Sequence, residues 1–181
     1  MELEQYVKQY LPTALNTIIQ SQRVHELQNL SIYEKAIIFA YTDATTKQHQ
    51  VLNTELWESE GKEISDFGRF LDKILTKLDA YKGLVFRGAH NSYCDIERYK
   101  KANREKSFIT EYHFLSASKL QIIAYGFGNI IFRIYAKNAK DVEKVSKHGI
   151  EKEVLFPKGT RFKVVYVTDN EIFTTITLKE I

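Results

Sequence analysis

The sequence predicts an α+β fold, because helical and extended patterning fall in two successive blocks instead of alternating. Up to about residue 80, apolar side chains recur at three- and four-residue spacing. Past Lys82, short runs rich in β-branched and aromatic residues lie between Gly, Asn, Asp and Pro. Strands alternating with helices would mark a Rossmann-type sheet, and that order is missing. A chain of 181 residues with 44% hydrophobic content suits one domain, 1–181, mainly helical over 1–80 and mainly β over 83–181.

The N-terminal stretch reads as two short helices divided at Pro12, which cannot donate inside a helix. From Ser31, SIYEKAIIFAYTDA opens with Ser31 and Glu34 at capping-box spacing and places Tyr33, Ile37, Ala40 and Tyr41 on one stripe. In KQHQVLNTELWESE, Val51, Leu52 and Leu56 face the core, and Trp57 is a further candidate. The clearest helix carries Phe67, Phe70, Leu71, Ile74, Leu75 and Leu78 behind Ser65 or Asp66 as cap. Strands are expected at GLVFRG, EYHFLSAS, NIIFRIYA, KEVLFP, RFKVVYVT and IFTTITL, with turns at Pro157 to Thr160 and Asp169 to Glu171. Short helices are expected within SKLQIIAY and SYCDIERYKKAN.

A net charge of +3 gives a mild positive field, suited to a phosphate-bearing ligand but far from histone-like. Cys94 is the only cysteine, so the chain cannot close a disulfide on itself or build a Cys-x-x-Cys zinc site; no metal is expected. The start, MELEQYVKQYL, lacks the basic and apolar regions of a secretory signal, and no run approaches ~18 apolar residues. The expected location is the cytoplasm, or a target cell reached without a classical signal, with no membrane partner. The histidines His25, His49, His90, His113 and His148 form no metalloprotease pair, and GFGN is no dinucleotide fingerprint. His113 reads as a packed strand residue. The basic run ERYKKANREK reads as a solvated helix or, if it borders the site, as a guide for a phosphate-rich target.

Polar residues interrupt the expected strands at Arg87 and Gly88, at Ser116 and Ser118, and at Glu151 and Glu153. On an extended backbone, carboxylates two apart project to one face, where each raises the other's cost of ionising. Singly, each cluster also suits an ordinary strand end or edge. Their order, Arg then Ser-x-Ser then Glu-x-Glu behind a helical half, resembles the Arg/Ser/Glu class of mono-ADP-ribosyltransferases, which includes bacterial exoenzyme toxins and phage transferases. The resemblance extends to Tyr41, Thr42 and Asn53, to LDKILTKLDAYKGLVFRG and to EKEVLFPKGTRFKVV. Ala117 stands where that class usually has Thr in Ser-Thr-Ser.

The resemblance implies an ADP-ribosyltransferase fold, a helical N-terminal part on two antiparallel sheets that form an NAD cleft. It implies NAD as co-substrate, cleaved at the nicotinamide–ribose bond. Glu153 would stabilise the oxocarbenium-like ribose, the electronic problem that glycosidases solve with carboxylates, and Ser116 would aim it. Arg87 would hold the pyrophosphate with its planar fork, Gly88 would admit the nicotinamide amide to the backbone, Ser118 would line the cofactor site, and Phe127 would cover the nicotinamide. Glu151, two before Glu153, implies arginine of a target protein as acceptor, and SKHGI the acceptor loop. RNA or DNA as acceptor, and an inactive interaction module, are the alternatives. A toxin or effector role would bring an antitoxin or immunity protein as partner to a chain expected to be monomeric.

Overall fold

The computed structural model describes residues 1–90, 94–170 and 172–181. The N-terminal half is helical: α1 (Leu3–Tyr10), α2 (Pro12–Ile19), α3 (Ile32–Thr42), α4 (Gln48–Glu58) and α5 (Asp66–Leu75). Pro12 stands at the first position of α2, where its missing N–H costs nothing. Ser31 and Glu34 complete the capping box of α3, the Glu34 backbone amide donating to Ser31 Oγ and the Ser31 amide to the Glu34 carboxylate. Ser65, not Asp66, caps α5 through the Gly68 amide.

Two of the expected core residues of α4 face outward: Val51 is 61% and Trp57 43% exposed, while Leu52 and Leu56 are buried. This helix lies on the outside of the layer, so two apolar positions per two turns cover its contact. By contrast α3 is buried from Glu34 to Tyr41, because α1, α2 and α5 pack against it and its apolar cluster continues to Phe114 and Leu155. Leu78, expected within α5, is buried just beyond its end.

The second half supplies β1 (Ala80–Ala89), α6 (Ile96–Glu105), β2 (Phe108–Glu111), β3 (Leu115–Ser118), α7 (Gln121–Tyr125), β4 (Ile130–Asp141), β5 (Glu153–Phe156), β6 (Thr160–Asp169) and β7 (Thr174–Glu180). The first residues of the helix expected within SYCDIERYKKAN, and Glu171 of the expected last turn, lie outside the described residues. The α+β class holds. The strands run β1-β3-β5-β4-β7-β6-β2, and β1 also pairs with β4. The two expected sheets are therefore joined through β4, which pairs with β1 on one edge and β7 on the other, and the β4–β7 pairing is parallel where antiparallel was expected.

EYHFLSAS is not one strand. The chain turns between Glu111 and Leu115, so β2 pairs with β6 while β3 pairs with β5. The corner forms because Phe114 sinks into the helical core and its carbonyl is held by α3 and α4: Tyr41 Oη donates to it at 3.2 Å and Asn53 Nδ2 at 3.1 Å. One apolar cluster joins the helices to Phe114, Val142, Val145 and Leu155; a second joins α6 to Leu115, Ala117, Val154 and Phe156. Strands β3 and β5 thus run between two cores, and their alternation decides which side chains face the site.

The loop after α7 is dovetailed onto the end of β1. A methyl group at Gly88 would sit 1.9 Å from the Ala124 carbonyl oxygen, and one at Gly128, where φ is +143°, would sit 2.2 Å from that of Ala89. Gly88→Ala must push α7 away from the residue that follows Arg87, a cost of about 1–3 kcal/mol for overpacking. A lowered urea midpoint with an unchanged m-value is the expected result; an unchanged midpoint would show that the contact yields freely.

Candidate active site

Pairing and pleat bring the predicted residues together. In the β3–β5 ladder Ser116 lies opposite Leu155 and Ser118 opposite Glu153. Directly opposed residues share a face, so Ser116, Ser118 and Glu153 emerge on the helix-facing side while Leu115, Ala117, Val154 and Phe156 fill the second core. Ser116 Oγ donates to Glu153 Oε1 at 2.6 Å. Arg87, on β1, donates from Nη1 to the Ser116 carbonyl oxygen at 2.9 Å, its only hydrogen bond among the described residues, so most of the fork stays available. Ala117 points into the second core, and its place in Ser-x-Ser leaves both hydroxyls in the site.

Glu153 is 6% exposed. Its carboxyl is pushed up to about 7, chiefly by burial, with the Ser116 hydrogen bond opposing, the charge of Glu151 adding and that of Arg87 opposing. Burial thus makes ionising it costlier than for an exposed carboxyl and leaves the two forms about evenly balanced near pH 7. If the ionised carboxylate is the working form, kcat/KM for NAD falls about tenfold per pH unit below about 7, since that profile reports the free enzyme. A flat profile between pH 6 and 8 would rule out Glu153 as the group whose ionisation gates the reaction.

Glu151 is not on the same extended strand as Glu153. It closes a 3-10 turn, Gly149–Glu151, and Lys152 is left-handed at φ 50°, so β5 begins only at Glu153. The turn is stabilised by the Glu151 amide donating to His148 O at 2.9 Å and by Ser118 Oγ donating to Glu151 O at 2.6 Å. The second carboxylate therefore sits on the turn ahead of β5 and not on the strand itself. It stays close enough to raise Glu153, and among the described residues it makes no hydrogen bond or ion pair of its own.

Phe127 is 55% exposed beside the Gly88 strand end. The space a Gly88 side chain would fill holds Ala124 and Phe127, so any ligand contact at Gly88 runs through its backbone. Tyr41, buried in α3, takes a hydrogen bond from Asn53 Nδ2 at 3.1 Å; its phenol is raised by burial first, lowered by that hydrogen bond, and senses both Glu153 and Arg87. His113 is a packed residue, edge-on to Trp57 and depressed to about 4 by burial. The basic run is less free than it reads: Arg98 pairs with buried Glu111 at 3.3 Å and lies over Trp57, and Lys100 bridges Glu97 and Asp169. Two residues the motifs did not flag hold the segment leading to Glu151. Lys119 bridges Asp141 and Glu143, and Arg23 binds the carbonyls of Ser146 and Lys147. Neither has a local sequence signal. Among the described residues no His, Cys, Asp and Glu cluster could hold a metal ion.

A guanidinium, a serine and a buried carboxyl raised to about 7 are thus grouped on neighbouring strands, with a second carboxylate on the turn ahead of β5. The chain belongs to the NAD:arginine ADP-ribosyltransferase family, whose model matches residues 28–181. It is 38% identical over 125 residues to Mav of Mycobacterium avium (strain 104), a candidate NAD(+)–arginine ADP-ribosyltransferase; the match covers 66% of this chain and 14% of that protein's length. Its fold is similar to ADP-ribosyltransferase HopU1 of Pseudomonas syringae pv. Tomato DC3000, at TM-score 0.77 and 18% identity over 94% of this chain and 87% of that one. It is likewise similar to exoenzyme S of Pseudomonas aeruginosa, solved with human 14-3-3 protein beta and carba-NAD, at TM-score 0.75 and 21% identity over 98% and 86%.

Proposed function

We propose that this chain splits NAD at the nicotinamide–ribose bond and transfers ADP-ribose to an arginine of a target protein. The observation that carries the reading is the hydrogen-bonded set Arg87, Ser116 and Glu153, with the free carboxylate of Glu151 beside it. As the C–N bond breaks, nicotinamide leaves with the bonding pair and positive charge develops on the ribose. Ionised Glu153, held by Ser116, faces that charge without having to reorganise. Arg87 holds the pyrophosphate, the Gly88 backbone meets the nicotinamide amide, Phe127 covers the ring, and Ser118 keeps the Glu151 turn in place. Glu151 orients the incoming guanidinium and takes the proton it loses when nitrogen bonds the ribose carbon.

Residues 1–181 act here as one catalytic domain. Because the matched segment is a small part of its longer relative, we place the chain as the transferring part of an effector or toxin delivered to a target cell, with an immunity protein as the expected partner. No helix among the described residues is long and apolar enough to cross a membrane. A nucleic-acid acceptor gains no support from the basic run, whose Arg98 and Lys100 are engaged in ion pairs. Retention of the whole Arg, Ser and Glu set argues against an inactive module. The test is incubation with labelled NAD and cell lysate, then mass-spectrometric mapping of the product: ADP-ribose on arginine supports the reading, and label confined to nuclease-sensitive material overturns it.

A further inference from the structure

The segment that leads into the Glu151 turn is tied down along its length. Val142 and Val145 are buried in the helical core, and Glu143 accepts from Lys119 and Lys152. At the other end, Arg23 Nε donates to Ser146 O at 3.1 Å and Nη2 to Lys147 O at 3.2 Å. The Lys147 amide donates to Thr42 Oγ1 at 2.8 Å, and Lys147 Nζ lies 3.6 Å from Asp43. Arg23 and Lys147 both lie over the ring of Phe39, at 5.5 and 5.2 Å. Immediately after these anchors, His148 to Glu151 form a short turn whose Glu151 carbonyl accepts from Ser118 Oγ, with Ile150 80% exposed. Arg23 stands in a 3-10 turn ahead of the residues that the family model matches.

We propose that Arg23 is a positioning residue for the acceptor: by clamping the carbonyls of Ser146 and Lys147 it holds the Glu151 turn where a guanidinium, in preference to water, receives ADP-ribose. The inference rests on the proposed transfer activity. Both outcomes begin with the same bond breaking, nicotinamide leaving with the electron pair. The ribose carbon is then bonded either by a guanidinium nitrogen or by a water oxygen, and each loses a proton. Water, as the bulk solvent, needs no ordered turn to orient it. A guanidinium must be oriented, so loosening the turn penalises transfer alone. A planar fork spans two successive carbonyls; the single point charge of lysine cannot.

Wild type, Arg23→Gln and Arg23→Lys are compared for NAD hydrolysis, for transfer to agmatine as a simple guanidinium, and for amide exchange over residues 142–152. In Arg23→Gln the KM for agmatine is expected to rise about 10- to 10²-fold, the effect of a misplaced acceptor group. NAD hydrolysis and the KM for NAD stay within about twofold. The Lys147 amide exchanges at least about tenfold faster, and Arg23→Lys falls between the two. Hydrolysis and transfer falling together, or unchanged exchange with unchanged agmatine KM, would overturn the assignment while leaving the activity standing. A wild type that neither hydrolyses NAD nor modifies agmatine would instead overturn the proposed activity, and this inference with it.

Discussion

Glu153→Gln is expected to lower ADP-ribose transfer by on the order of 10²-fold or more, while the protein stays folded. The loss is electrostatic. The amide has the shape of the carboxyl and still accepts from Ser116 Oγ, so the local hydrogen bond survives. What disappears is the negative charge that the proposed mechanism sets against the ribose as the nicotinamide bond stretches. Stability should move the other way. The carboxyl is pushed up to about 7 in the folded chain, well above its unfolded value, so the folded state holds the proton more tightly. Its contribution to stability is present at low pH and lost as pH rises through about 7. A neutral isostere escapes that loss. Thermal or urea unfolding should therefore show the variant at least as stable as wild type at pH 8, with any relative advantage fading toward pH 5. A folded variant that transfers at the wild-type rate would discredit Glu153 as the charged partner of the sugar.

The same buried carboxyl shows how far local pattern reaches. Pro12, the Ser31–Glu34 box and the Ser65 cap were legible because each acts over three or four residues, where side-chain chemistry alone decides the outcome. That Ser116 and Ser118 share a polar strand face was legible from alternation, while their grouping with Glu153 was implied by the family resemblance and depends on the β3–β5 register. Long-range consequences were not legible. The corner at Phe114 depends on Tyr41 and Asn53, far away in the chain, and no turn residue marks it. Trp57 reads as core by its chemistry yet serves as a surface platform for Arg98, at 4.8 Å. Glu151 and Glu153 read as a strand pair because Lys152 gives no hint of its left-handed backbone. That departure places the two carboxylates of one short segment on different elements, Glu151 on a 3-10 turn and Glu153 on β5.

From that geometry Glu151→Gln should separate the two halves of the reaction. On the proposed mechanism NAD cleavage relies on Arg87, Ser116 and Glu153, none of which hydrogen-bonds the Glu151 side chain among the described residues, so hydrolysis of NAD should persist. Transfer to arginine should fall by about 10²- to 10⁴-fold, the range for losing a group that positions and deprotonates a nucleophile. The Ser118 bond to the Glu151 turn uses the backbone carbonyl and survives the substitution, so the turn itself is retained. Removing the Glu151 charge also removes one of the causes that hold Glu153 up, so the acid limb of NAD hydrolysis should shift to lower pH in the variant. The two effects are read in one experiment, a pH series of nicotinamide release with and without agmatine. Equal loss of hydrolysis and transfer would place Glu151 in bond cleavage and not in acceptor activation. An acid limb that stays in place would mean that the Glu151 carboxylate is electrically remote from the buried one.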